Sequence, residues 1–350
     1  MMSGQDMLNR SEKDPPRRSE RSFGRLRGLV KKNYPLACGY YLLNNARAAV
    51  TFKAGRIESS SGMAHADKDL AASLSYIHEV FGDYKQYSGV ERFHGRAAEI
   101  GPGDNCGVGL LFLRDGCGSV DLLDRFYTKR DPRRQAGIYQ ALIGKDDILR
   151  ERYGHLAQFE DDAFDGITRF YGDEAAAETF FLTHKGYDLI VSRAVLEHVY
   201  DPSTAVARMA EALSPGGMML HKVDLRDHGM FSTDFHELKF YEIPDRLYPL
   251  MTKAAGYPNR VLMGRYKDVA RKACLEHTFL VTRLAGVGDI TPHLPYQEIS
   301  GPLRAESLRY VRSVKKRFTG SLAALPDEEL SITGFFLIAK KNMAMKRANT

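Results

Sequence analysis

The chain has 350 residues, enough for one large domain or two small ones. Its 43% hydrophobic and 27% charged residues suit a soluble globular protein, and its longest apolar run, near Tyr34 to Leu43, is broken by Pro35 and Gly39 and too short to span a bilayer. The net charge is +6, of which residues 1–32 contribute +5 through nine basic and four acidic side chains, so the near-neutral remainder argues against a nucleic-acid groove in the folded part.

Residues 1–33, with Pro15-Pro16 and many charges, read as a disordered basic arm. Its charges lead to no long apolar stretch, and Ser19-Glu20-Arg21 follows Arg17-Arg18, so neither a secretory nor a twin-arginine signal is expected. Residues 34–90 read as a helical extension or lid. Within it, 34–52 is weakly helical and Gly55 to Gly62 is a linker. Asp67 to Tyr87 is a helix, on the spacing of Leu70, Leu74, Ile77, Val80, Phe81 and Tyr84. Cys38, Cys106, Cys117 and Cys274 form no C-x-x-C pair, which suggests free thiols in a reducing cytoplasm.

The core follows in alternation over 91–341. A strand ends at Glu99, a helix covers about Cys106 to Arg114, and a second strand runs from Ser119 to Asp124. A helix spans about Arg134 to Leu149, a third strand Gly166 to Tyr171, and a fourth Tyr187 to Ser192. Asp201 and Pro202 mark the start of a helix to Leu213, Ser214-Pro215-Gly216-Gly217 ends it, and Met218 to Val223 is a fifth strand. Residues 226–275 read as a largely helical insert, Phe279 to Leu284 and Gly334 to Ala339 as the last two strands, and 342–350 as a tail. Such alternation calls for a parallel, doubly wound α/β sheet.

The first strand carries the chemistry. Glu99-Ile100-Gly101-Pro102-Gly103-Asp104-Asn105 passes from a carboxylate into a glycine turn and then a helix, which builds a pocket at the strand's carboxyl end. A fixed negative charge there suits a ligand bearing positive charge and hydroxyls better than a pyrophosphate. The dinucleotide pattern G-x-G-x-x-G would need glycine at Cys106. The motif resembles the acid-x-Gly-x-Gly-x-Gly of the class I S-adenosylmethionine-dependent methyltransferases. Asn105 replaces the third glycine, a mild departure because Asn tolerates left-handed geometry. Asp188 to Val199 resembles the family's fourth strand and turn, Leu213 to Gly217 its approach to strand five, and Ile332 to Lys341 its closing antiparallel strand. The resemblance implies a seven-stranded Rossmann-like sheet with a helical insert after strand five.

It further implies that Glu99, Gly101, Pro102 and Gly103 face the methionine end of S-adenosyl-L-methionine. A carboxylate ending strand two takes the ribose, Asp124 in preference to Asp121. Asp173 meets adenine, and Ser192 and Arg193 line the pocket. For an oxygen acceptor a histidine would remove the proton. His228 beside Asp227 is the first choice and His198 the second, with His221 and Asp224 nearby. No metal is required by the spacing, although metal-assisted O-methylation is the runner-up. His236, Tyr241, Tyr248, Tyr257, Asn259, Arg260 and Tyr266 are candidates for an acceptor pocket. The expected activity is methyl transfer, at oxygen, to a small molecule or saccharide in a cytoplasmic protein that could form a homo-oligomer. The rivals are N-methylation, an RNA acceptor guided by the basic arm, a non-catalytic S-adenosylmethionine-binding partner protein and a nicotinamide dehydrogenase.

Overall fold

Side chains alternate across the strands, and that alternation fixes the layers of the protein. A computed structural model describes residues 28–59, 62–159 and 163–343. Most of the expected basic arm (1–27) and of the tail (344–350) lies outside the described residues. Eight strands form the main sheet: β1 Gly95–Ile100, β2 Cys117–Asp124, β3 Ile167–Tyr171, β4 Tyr187–Arg193, β5 Leu213–Asp224, β6 Glu276–Leu284, β7 Gly288–Leu294 and β8 Ile332–Lys340. Their order is β3-β2-β1-β4-β5-β8-β6-β7. The first five are parallel, and β8, β6 and β7 join antiparallel. The strand order turns back between β1 and β4, which opens a crevice at their carboxyl ends.

The helices are α1 Tyr34–Lys53, α2 Leu70–Ser88, α3 Gly107–Asp115, α4 Pro132–Gly144, α5 Asp147–Tyr153, α6 Ala177–Thr183, α7 Pro202–Ala212, α8 Tyr248–Thr252, α9 Met263–Lys272, α10 Gly301–Lys315, α11 Gly320–Ala323 and α12 Asp327–Ser331, with short turns between them. Ala97, Leu122 and Leu189 point to one face of the sheet and pack with α2, α3, α4 and α5. Their neighbours Ala98, Leu123 and Ile190 point to the other, with α6, α7, α9 and α10. The caps follow local chemistry: Asp201 Oδ1 accepts from the backbone N–H groups of Ser203 at 3.0 Å and Thr204 at 3.1 Å, and Asp69 Oδ1 accepts from Ala72 at 2.7 Å.

Several expectations need correction. The helix expected over 134–149 is two helices, because Asp146 takes the backbone N–H of Leu149 at 3.0 Å and starts a new one. The sheet has eight strands rather than seven; β7, at the edge, is half polar and carries Pro292, so it shows little strand pattern. The insert over 226–275 is mostly irregular, with only a 3₁₀ turn, α8 and α9. It is held by side-chain bonds to backbone rather than by helix hydrogen bonding: Arg260 donates to the carbonyls of Phe240 at 3.1 Å and Ile243 at 2.8 Å. The linker contains a short parallel pairing of Glu58–Ser59 with Tyr127–Thr128. Helix α2 is a platform, with Ile77, Val80, Phe81 and Tyr84 buried in the core. Helix α1 is clamped to the insert. Tyr41 donates to the Met230 carbonyl at 2.7 Å, and Asn45 bonds Leu250 and Ala255, each at 2.9 Å.

Candidate active site

A cavity of about 560 Å³ opens over the carboxyl ends of β1, β2 and β4, within the range of small-molecule sites. Glu99, Gly101, Pro102, Gly103, Asp124, Arg193, His198 and His228 all line it. The pleat explains why Glu99 and Asp124 share it. Glu99 stands opposite Leu122 in the β1–β2 register, and Asp124, two residues on, projects to the same face. Asp121, three residues earlier, falls on the opposite face. There its carboxylate accepts from Arg96 and from the Tyr187 hydroxyl, each at 2.6 Å.

The glycine turn is sterically required. Gly101 has φ +69° and a Cβ there would lie 2.4 Å from Val195 Cγ2; Gly103 has φ +68° and its Cβ would lie 2.5 Å from the Gly62 carbonyl oxygen. Asn105 is tolerated for another reason than left-handed geometry, since its φ is not positive. Its Oδ1 accepts the backbone N–H of Gly107 at 2.6 Å, at the start of α3, and its Nδ2 donates to Gln135 at 2.5 Å.

Among the described residues, Glu99 and Asp124 have no cationic partner at bonding distance. Glu99 is buried and its Oε2 has no hydrogen-bond partner among the described residues. Burial pushes its carboxyl up to about 8, against the smaller opposing pull of Arg169. Burial also raises Asp124 to about 6, although its Oδ1 accepts from the Phe126 N–H at 2.9 Å. These groups fit a ligand that brings a cation to Glu99 and paired hydroxyl donors to Asp124.

The histidines gather at another part of the wall. His198 Nδ1 lies 2.8 Å from the Gly256 carbonyl oxygen, so that nitrogen carries the hydrogen and leaves the Nε2 lone pair available. Burial, aided by His228, lowers His198 to about 4. The His228 ring stands 4.6 Å from that of His198 at a steep angle, and its Nε2 is 3.1 Å from the Asp224 carbonyl oxygen and 3.6 Å from Glu197 Oε1. His228 has φ +50°. Asp227 enforces the turn at this point: its carboxylate accepts from the backbone N–H groups of Gly229 at 2.9 Å and Phe231 at 3.0 Å. It does not orient the His228 ring. Glu197, His198 and His228 place one ligand atom each within 4.8 Å of the others, a grouping that the spacing alone did not suggest.

Other expected residues are placed elsewhere. Ser192 is buried below the cavity, 2.8 Å from His221 Nδ1, and burial lowers His221 to about 3. Asp173 is largely exposed and pairs with Arg125 at 3.2 Å. Arg193 lines the cavity while paired to Asp83 at 2.5 Å and Glu79 at 2.6 Å of α2. None of the seven acceptor-pocket candidates lines it. Tyr241, Tyr248 and Tyr266 are buried core, Asn259 holds the carbonyls of Leu196 and Val199, Arg260 stacks on Tyr248 and His236 bonds Glu242. Tyr257 accepts from Asn44 at 3.0 Å and so positions α1. The wall comes instead from Asn44, Arg47, Ala48, Thr51 and Phe52 of α1, from Ala254 to Gly256, and from Arg125 against the Tyr200 ring at 3.7 Å. The signal in the sequence was the polar set Asn44, Arg47 and Thr51, spaced three and four apart on one face of a helix whose other amide and charged residues are Asn45 and Lys53.

Residues 90–258 match the family model described as a methyltransferase domain. Among solved structures, a Galdieria sulphuraria protein provisionally described as a sarcosine dimethylglycine methyltransferase is 14% identical, with 86% of this chain and 99% of that one covered and a TM-score of 0.39. Phosphoethanolamine N-methyltransferase 2 of Haemonchus contortus, solved with S-adenosyl-L-methionine, is 13% identical over 81% of this chain and 59% of its own, at 0.39. The Bacillus YcgJ protein is 11% identical over 76% and 99%, at 0.37. Identity this low says nothing about the acceptor. No curated protein sequence matches the chain.

Proposed function

We propose that this chain is a class I S-adenosylmethionine-dependent methyltransferase, in keeping with the methyltransferase-domain match over residues 90–258, and that it methylates a hydroxyl oxygen on a small polar molecule or saccharide. The observation that carries this reading is the shared cavity: Glu99 and Asp124 on one face of the sheet, with His198 and His228 in the same wall. Glu99 holds the donor's ammonium, the Gly101–Gly103 turn lets the backbone approach its methionine end, and Asp124 accepts from the ribose hydroxyls. When bound, S-adenosyl-L-methionine supplies a methyl carbon made electrophilic by the sulfonium. The protein's share is alignment and proton removal. His198 is suited to receive the acceptor's proton, because Gly256 fixes its tautomer with Nε2 as acceptor. His228 borders the same space.

The test is a panel of hydroxylated acceptors incubated with donor and followed by mass spectrometry. A product heavier by one methyl group, lost in His198→Ala, supports the reading; methylation confined to amines would replace it with N-methylation. A second reading, metal-assisted O-methylation, is favoured by the Glu197, His198 and His228 grouping. Two imidazoles and a carboxylate can hold a divalent transition ion that acidifies a bound hydroxyl. Activity abolished by a chelator and restored by Mn²⁺ or Zn²⁺ would favour it over direct proton removal.

A further inference from the structure

Away from the cavity, one face of the described molecule carries apolar side chains that nothing covers. Leu36, Leu43 and Val50 recur every seven residues along α1 and are 58%, 75% and 70% exposed. Seven residues make nearly two turns, so the three form one outward stripe about 20 Å long. Leu29, seven residues before Leu36 in a short helical stretch that precedes Asn33, is 66% exposed, and Leu250 of α8 is 61% exposed.

The segment that carries this stripe is basic, although Lys32 is paired with Asp234 at 3.3 Å. Residues 28–56 hold Lys31, Lys32, Arg47, Lys53 and Arg56 and no acidic residue. Among the described residues Arg47, Lys53 and Arg56 make no ion pair. At about 100° per residue, Lys53 falls on one flank of the stripe, and Arg47, which also borders the cavity, on the other. A second copy of α1 laid against the first would set basic residues against basic residues. A nucleic acid would take the charge and leave the leucines in water. An anionic lipid surface satisfies both features, with apolar side chains at the acyl boundary and basic ones among the headgroups.

We propose that the outer face of α1 docks this protein onto an anionic lipid surface. The buried face of this helix is Ala37, Tyr41 and Asn45, and the face between it and the stripe lines the cavity through Asn44, Arg47, Ala48 and Thr51, so docking brings the proposed acceptor wall within one helix diameter, about 10 Å, of the bilayer. The proposal does not depend on which acceptor is methylated.

The full chain is sedimented with vesicles of phosphatidylcholine alone and of phosphatidylcholine with roughly 30% phosphatidylserine, at low and high salt. The expected result is binding to the anionic vesicles only, weakened by salt, and at least about tenfold weaker in the Leu43→Ser/Val50→Ser double variant. Lys53→Gln gives a smaller loss. Unchanged S-adenosylhomocysteine affinity in the double variant verifies its fold. Equal binding of wild type to neutral and anionic vesicles overturns the proposal without any variant. So does full binding by the double variant, which keeps the basic residues before α1. A wild-type dimer in light scattering that the double variant loses, with no vesicle binding, would assign the face to a second copy instead.

Discussion

The two ends of the cavity are built by different means. At the end proposed for the donor, the wall is the carboxyl edge of a parallel sheet, and its residues are fixed by pleat, register and two glycines that the surroundings leave no room to replace. At the end proposed for the acceptor, the wall is a helix from before the core and an irregular segment after β5, held together by isolated bonds such as Asn44 to Tyr257 and Asn45 to Leu250. The first arrangement constrains the local sequence strongly. The second constrains it weakly.

Substitutions at the two ends should therefore fail differently. The largest effect is expected at His198: His198→Ala should lower kcat by about 100-fold or more while the affinity for S-adenosylhomocysteine stays within about twofold. Asp227→Asn should leave the pH–rate profile unshifted, because that carboxylate holds a turn. Glu99→Gln should weaken S-adenosylhomocysteine binding by roughly 30- to 100-fold, yet not destabilise the protein. The Glu99 carboxyl sits at about 8 in the folded chain against an ordinary 4.5. The folded state thus holds the extra proton between those values, and stability is lost as pH rises from about 4.5 towards 8. The glutamine variant escapes that loss and should melt at or above the wild-type temperature at pH 8. By the same linkage, wild-type affinity should rise from about pH 6 to 8 and binding should release a proton, both absent in the variant. Gly101→Ala should cost about 2–4 kcal/mol in denaturant unfolding, from the clash with Val195 and the positive φ. Asn44→Ala, at the acceptor end, is the mildest: a rise in acceptor KM below about tenfold with donor affinity unchanged.

The same contrast governs what could be read from the sequence. The β1 motif was legible because a strand, a carboxylate and a tight turn must be adjacent in the chain; Asp124 was preferred to Asp121 because it ends the strand after Leu122-Leu123, and the register then shows the two carboxylates on opposite faces of β2. The acceptor wall was not, because it joins Asn44 to Tyr257 and His198 to Gly256 across separations that no local pattern encodes. Tyrosines of the insert looked like pocket lining, yet Tyr241, Tyr248 and Tyr266 fill the core. Strand β7 escaped notice because it carries a proline and half-exposed residues. Glu197 gave no chemical signal in Leu196-Glu197-His198; only the return of the chain at His228 sets it beside two imidazoles.

Calorimetric titration of the full chain with S-adenosylhomocysteine, repeated with Glu99→Gln and Asp124→Asn, tests the central assignment most directly. One site of micromolar affinity or better should appear in the wild type, weakened by each substitution, with no heat from a nicotinamide dinucleotide. Undiminished binding in both variants, or tight binding of the dinucleotide alone, would contradict the placement of the donor between these two carboxylates.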